Sequence, residues 1–281
     1  MKVMIGVDGS KYSEWALGWL GRIPFRAAPR VTAIHAIDFN SARAPFVTHP
    51  TVTGYEPDVG EGIHLLESRA KQVETETKQR MEDLGLNGSV RVEKGQIAQA
   101  LLKHAGGTAL IVVGSRGLDA IDRFMLGSVS TAIALHASSP VLIIKEPPQP
   151  LRRVLVATDG SASSSKAIQF MLRQFKVTPK ADPVVILLVH VMPFLRYPVV
   201  KEAGEQLLAR ESAKLERVGY LVRQFPRVGP AAEEILRVVN VEQPDLIVTG
   251  AKGRSAIARF VQGSVSIKLI HQSACSNLVV R

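Results

Sequence analysis

The 281-residue chain is 46% hydrophobic and 21% charged, with 35 Lys and Arg against 25 Asp and Glu and a single cysteine. No run of 18 apolar residues occurs, which argues against a membrane-spanning helix; one cysteine excludes an intrachain disulfide, and no Cys/His cluster with zinc spacing occurs. The opening Met1–Asp8 is too short and too weakly basic for a secretory leader, so a reducing, cytoplasmic setting is expected.

The charge is divided unevenly. Residues 1–146 hold 16 basic against 15 acidic side chains, and residues 147–281 hold 19 against 10. Such a surplus can draw nucleotides, nucleic acid or anionic lipid to the second half. No basic run of five or more occurs and aromatic residues make up only 5%, so a solvated basic face is preferred to a nucleic-acid surface.

The chain repeats itself. Met4-Ile5-Gly6-Val7-Asp8-Gly9-Ser10 returns as Leu155-Val156-Ala157-Thr158-Asp159-Gly160-Ser161, and Ile34-His35-Ala36 returns as Val189-His190-Val191. The closest match is Leu110-Ile111-Val112-Val113-Gly114-Ser115-Arg116-Gly117 with Leu246-Ile247-Val248-Thr249-Gly250-Ala251-Lys252-Gly253, followed by Gly127-Ser128-Val129-Ser130 and Gly263-Ser264-Val265-Ser266. The offset falls from 151 at Asp8/Asp159 to 136 at Gly114/Gly250, so the second copy has a shorter middle. Two domains are therefore expected, at 1–146 and 151–281, joined by the Pro-rich Glu146-Pro147-Pro148-Gln149-Pro150.

In chain order, apolar runs predict strands at 2–7, 31–37, 89–93, 109–113 and 141–145, then at 153–158, 184–191, 219–225, 245–249 and 277–280. Amphipathic stretches predict helices at 11–20, 62–84, 96–105 and 127–137, then at 163–175, 202–217, 230–240 and 263–272. This alternation is the pattern of a parallel α/β sheet, which binds nucleotides beyond the carboxyl ends of its strands where strand order reverses. Trp15 and Trp19 lie one turn apart and read as core packing, as do His35 and His190 in their apolar strands.

The chemistry concentrates in a duplicated pattern, Gly-x-x-Gly, nine residues, then Gly-Ser: Gly114, Gly117, Gly127-Ser128, and again Gly250, Gly253, Gly263-Ser264. Glycines at a strand end let backbone N–H groups approach an anion, and a helix starting at Gly-Ser points free N–H groups at it. Ser128, Ser130, Ser264 and Ser266 are candidate hydroxyl donors, and Arg116 and Lys252 candidate cations beside a triphosphate. Asp8 and Asp159 end the first strands, where a carboxylate either accepts from ribose or adenine or caps the Asp-Gly-Ser turn. No Walker A, Gly-x-Ser-x-Gly or His-Glu-x-x-His motif is present, and no metal-ligand set is identified.

These residues give the chain a resemblance to the universal stress protein family: the Val7-Asp8-Gly9-Ser10 and Thr158-Asp159-Gly160-Ser161 starts, His35-Ala36 and His190-Val191, and both glycine loops. The resemblance implies two tandem Rossmann-like domains of the adenine nucleotide alpha hydrolase-like type, each a five-stranded parallel sheet with helices on both faces. It implies ATP as ligand, with Mg²⁺, and a role in stress survival and signalling with slow or no hydrolysis. Carried over by position, Val7, Asp8, Thr158 and Asp159 lie at the nucleoside, and Ala36 and Val191 offer backbone groups to the adenine. Gly114, Arg116, Gly117, Gly127, Ser128, Val129 and Ser130, with Gly250, Lys252, Gly253, Gly263, Ser264, Val265 and Ser266, surround the phosphates. Ala109 stands where an acidic residue often begins strand four, which the second copy keeps as Asp245.

In the family, subunits commonly pair through their last strands. Pairing of 141–145 with 277–280 inside this chain is expected on that basis, with a homodimer as a further open expectation. An ATP-using enzyme of the same superfamily is the alternative reading. Ligases of that kind usually carry a Ser-Gly-Gly-x-Asp-Ser loop after strand one, where both copies here have only Asp-Gly-Ser.

Overall fold

The computed structural model describes residues 1–38, 59–117, 126–177, 183–194, 197–252 and 263–281. The first half runs β1 (Lys2–Gly6), α1 (Lys11–Arg22), β2 (Arg30–Ile37), α2 (Val59–Asp83), β3 (Asn87–Lys94), α3 (Ile97–His104), β4 (Leu110–Gly114), α4 (Ser128–His136) and β5 (Val141–Ile144). The second repeats the order with β6 (Arg153–Ala157), α5 (Ala162–Gln174), β7 (Val185–Met192), α6 (Tyr197–Val218), β8 (Leu221–Val228), α7 (Ala231–Glu242), β9 (Leu246–Gly250), α8 (Ser264–Gln272) and β10 (Ser276–Val280).

The Asp-Gly-Ser turns show why the repeat begins as it does. Gly9 and Gly160 have φ of +76° and +73°, a region that a Cβ disfavours. Ser10 and Ser161 then cap α1 and α5, their hydroxyls accepting from the backbone N–H of Ser13 and Ser164. Several elements run longer than their pattern predicts, among them β3, at Asn87–Lys94 against 89–93. Helix α6 starts at Tyr197 instead of 202, and β8 continues through Pro226 to Val228. β8 is the outermost strand of its half, and an edge strand tolerates the missing N–H of a proline.

The ten strands form one sheet in the order β3-β2-β1-β4-β5-β10-β9-β6-β7-β8. All neighbours are parallel except at the centre, where β5 and β10 run antiparallel with Val141 opposite Val279, Leu142 opposite Leu278 and Ile143 opposite Asn277. Neither of these fully apolar or buried strands is left as an open edge.

Successive strand residues point to opposite faces, and the core divides accordingly. Val3 and Ile5 join Leu17 and Trp19 of α1, Val73 and Met81 of α2, and their counterparts on α5 and α6, in one cluster spanning both halves. Met4 faces the other way, towards Leu101 of α3 and Ile133 of α4, and Leu155 faces Ile235 of α7 and Leu269 of α8. Helices α1, α2, α5 and α6 thus cover one face, and α3, α4, α7 and α8 the other.

Away from the central ladder the halves meet at Phe25 and Phe175, edge to face at 5.8 Å, and where Lys176 N–H donates to Pro24 O at 2.8 Å. Trp19 is fully buried and its indole N–H holds the linker by donating to Glu146 O at 2.9 Å. Asp245 plays a structural part, accepting from the N–H groups of Arg152 and Arg153, both at 2.7 Å, and so tying the chain entering β6 to the start of β9.

Candidate functional site

In the first half the strand order reverses between β1 and β4, and beyond their carboxyl ends lies a cavity of about 520 Å³. Pockets of this size hold small ligands. Val7, Asp8, Ala36, Gly114, Arg116, Gly117, Gly127, Ser128, Val129 and Ser130, every first-copy residue named from sequence, line it. His35, Ser13, Leu66 and Arg69 complete much of the wall.

β1 stops short of β2, and that mismatch opens the crevice. The Val7 N–H donates to Ile34 O at 2.9 Å, so residues 34 and 36 turn their backbone groups towards β1. β1 has ended by the level of Ala36, whose N–H and C=O therefore face the cavity. The Val7 carbonyl accepts instead from His35 Nδ1 at 2.9 Å, which places the proton of the imidazole on Nδ1. The same bond recurs in the second half, from His190 Nδ1 to Thr158 O at 2.8 Å.

Asp8 serves both of the roles that its sequence allows. Oδ1 accepts from the Ser10 N–H at 2.9 Å and closes the turn, while Oδ2 faces the glycine loop, 2.8 Å from where a Cβ on Gly117 would stand. The sequence pattern sets Asp8 apart from that loop, at the nucleoside end; in the fold the carboxylate and Gly117 are neighbours. Asp159 Oδ1 likewise accepts from Ser161 N–H, at 3.0 Å.

The glycines differ in what they are for. A Cβ on Gly114 would lie 2.7–3.0 Å from Tyr12, and one on Gly250 would lie 2.5 Å from the Ser163 carbonyl carbon. Both are required by the close approach of α1 and α5 to a strand end, a packing reason that the anion argument missed. Gly127 N-caps α4 with no side-chain cap, so the first-turn N–H groups remain directed at the cavity with the positive end of the helix dipole. Gly263 begins α8 in the same way.

Ser130 and Ser266 are buried, and their hydroxyls are already engaged. Ser130 Oγ lies 2.9 Å from Ser115 O and 3.0 Å from Gly127 O, and Ser266 Oγ lies 3.3 Å from Ala251 O and 3.0 Å from Gly263 O. A hydroxyl has one proton, so these serines pin the glycine loop to its helix instead of donating to a ligand. Ser128 and Ser264, at the first helical positions, are exposed. Arg116 Nη1 donates to the Tyr12 hydroxyl at 2.7 Å with its guanidinium 5.5 Å from that ring, so part of its donor set is turned to α1.

In the second half Thr158 and Asp159 follow β6, Val191 lies near the end of β7, and Gly250 and Lys252 stand at and just past the end of β9, the strand beside β6. Lys252 is exposed, and its N–H donates to Ser163 Oγ at 3.1 Å. Val265 and Ser266 occupy the first turn of α8. Gly253 lies outside the described residues.

The profile of the Universal stress protein family (Usp) matches residues 1–145 and, a second time, residues 150–281. The chain belongs to the universal stress protein family. A universal stress protein of Mycolicibacterium smegmatis is 26% identical over 294 residues, spanning 99% of this chain and 96% of that protein. One of Mycobacterium tuberculosis is 26% identical over 305 residues, 99% of this chain and 94% of the other. The crystal structure of a universal stress protein from Archaeoglobus fulgidus superposes with a TM-score of 0.71 at 19% identity, covering 100% of this chain and 98% of that one, and shares the tandem fold.

Two wall residues of this universal stress protein escape a reading of the sequence. His35 reads as a core histidine, although its recurrence as His190, each time one residue before the Ala36 and Val191 positions, is a visible signal. Arg69 gives no signal, since nothing in the second copy repeats it. Among the described residues no group of three or more His, Cys, Asp or Glu is placed to hold a metal, and no helix is long and apolar enough to cross a membrane.

Proposed function

We propose that this universal stress protein binds an adenine nucleotide, ATP with Mg²⁺, at up to two sites per chain, one in each repeat unit (1–146 and 151–281), and acts as a cytoplasmic stress regulator. The observation that carries this reading is the single cavity gathering all ten first-copy residues against the uncapped start of α4. The wall suits the ligand at each end. The Ala36 backbone faces where an adenine edge requires a donor and an acceptor, and Asp8 offers carboxylate oxygens to ribose hydroxyls. Gly117, Gly127 and the first turn of α4 leave backbone room for phosphates, whose charge the helix dipole favours. A carboxylate beside phosphate is repulsive, so the phosphates would lie towards Gly127 and the start of α4, with Asp8 and the adjoining edge of Gly117 towards the ribose. Mg²⁺ would arrive on the nucleotide, held by phosphate oxygens and water.

Binding of this kind is ground-state cradling. Fast hydrolysis requires a positioned water and charge stabilisation that grows in the transition state. The first test is mass spectrometry of the nucleotide released when the purified chain is denatured, followed by a turnover assay. Adenine nucleotide with turnover well below about 1 s⁻¹ supports a regulator, and ordinary enzymatic turnover replaces it with an ATP-using enzyme.

A further inference from the structure

Arg69 stands at a junction. It projects from α2 into the 520 Å³ cavity and also lines a second one of about 380 Å³ between α2 and the Asp8-Gly9 turn. Asp8 and Arg69 are the two residues lining both. Among the described residues the Arg69 guanidinium has neither an ion pair nor a hydrogen bond, and it is exposed. Helix α2 belongs to the layer that carries α1, whereas α4 belongs to the opposite layer. Arg69 therefore enters the crevice from the wall facing the start of α4.

The second copy lacks this residue. From α2 to β3 the repeat offset is a constant 134: Gly85 matches Gly219, and Gly95 matches Gly229, all with positive φ. Val73, which packs on Gly9, then matches Leu207, which packs on Gly160. By the same offset Arg69 matches Ala203. The next position, Gly204, lets α6 close on β7, since a Cβ there would lie 2.6 Å from Met192 Sδ and 3.1 Å from the His190 ring. The first half has Ala70 at that place and keeps its arginine at the cavity.

We infer that Arg69 is the specificity-determining residue of the first site, contacting the phosphates and making that site discriminate by phosphate charge more strongly than the second. The inference rests on the nucleotide reading above and assigns it a difference between the two sites. A guanidinium presents a planar fork of donors to phosphate oxygens, and an unpaired one has no internal partner to give up. Two carboxylates line each cavity, Asp8 with Asp38 in the larger and Asp8 with Glu76 in the smaller, but only the larger also holds Arg116 and the start of α4, which makes it the better place for an anion. The loop cations Arg116 and Lys252 occur in both copies and do not distinguish them. The net charge of the second half argues for the opposite order, but charges beyond about 8 Å are largely screened at physiological salt, so the local contact prevails.

The test is calorimetry of AMP and ATP binding to the whole chain, wild type against Arg69→Ala and Ala203→Arg, with far-UV circular dichroism to confirm that these exposed or helical positions keep the fold. Wild type is expected to show one site with a strong preference for ATP over AMP and one with a weaker preference. Arg69→Ala should lower the ATP preference of the first by about 10- to 100-fold while changing AMP affinity less than about threefold. Ala203→Arg should strengthen the preference of the second. If adenine nucleotide binds but Arg69→Ala leaves the ATP-to-AMP ratio unchanged, this inference is overturned and the nucleotide reading stands. If wild type binds neither nucleotide, both are overturned.

Discussion

The side-chain ammonium of Lys145, just past β5, donates to the carbonyl oxygen of Ser273 at 2.6 Å, at the end of α8 in the other half. It also donates to Ile270 O, and Arg281, just past β10, donates to Ala134 O in α4. Each half thus caps the carboxyl end of the helix that follows the other half's glycine loop, where the helix dipole is negative. Burial is the largest influence on Lys145 and lowers its pKa from 10.5 to about 8, with Arg116 adding to it and Cys275 and Glu146 opposing. Between about 8 and 10.5 the unfolded chain binds the proton more tightly than the folded one, so stability rises with pH through that window. Measured by urea unfolding, the wild type should gain on the order of 2 kcal/mol relative to Lys145→Met from about pH 7.5 to pH 10. Parallel pH profiles for the two proteins would remove the buried ammonium from the account.

Gly114→Ala and Gly250→Ala should destabilise the fold with or without nucleotide. The added methyl would stand 2.7 Å from Tyr12 Cβ in one case and 2.5 Å from the Ser163 backbone in the other, contacts that force a helix to shift. A cost of about 1–3 kcal/mol each is expected from thermal or urea unfolding. Unchanged stability would return these glycines to a purely ligand-facing role.

Gly117→Val should do the reverse, sparing the fold and removing the first site. Among the described residues its Cβ meets no backbone, only Asp8 Oδ2 at 2.8 Å, so the side chain would displace the carboxylate and fill the cavity. Calorimetry should lose one binding event while the melting temperature moves little. An unaltered binding isotherm would show that the loop is no more than a turn.

Cys275 should resist thiol reagents until the chain unfolds. It is 4% exposed, and burial, reinforced by Glu146, pushes its thiol up to about 12. Labelling at neutral pH should follow unfolding with denaturant, and rapid labelling of the native protein would contradict this burial.

Much of the fold was legible because the repeat doubled every signal. The Asp-Gly-Ser starts fixed two turns whose glycines need positive φ, and the two glycine loops marked strand ends, those of the first copy converging on the cavity. What sequence could not supply was partnership. Ser130 looks like a ligand donor until its hydroxyl is seen between Ser115 O and Gly127 O, and Gly114 looks like an anion contact until Tyr12 is found against it. His35 reads as core in an apolar strand, because only the early end of β1 brings its ring to Val7 O and to the crevice. Arg69 depends on which face α2 covers, a tertiary fact that no local periodicity carries.

Titrating the intact chain with ATP and Mg²⁺ in a calorimeter, after any co-purified nucleotide has been removed, measures whether the glycine loops bind adenine nucleotide. Saturable binding is expected at between one and two sites per chain, the tighter site being lost in Gly117→Val. A flat titration with wild type, for ATP and for AMP alike, would contradict it.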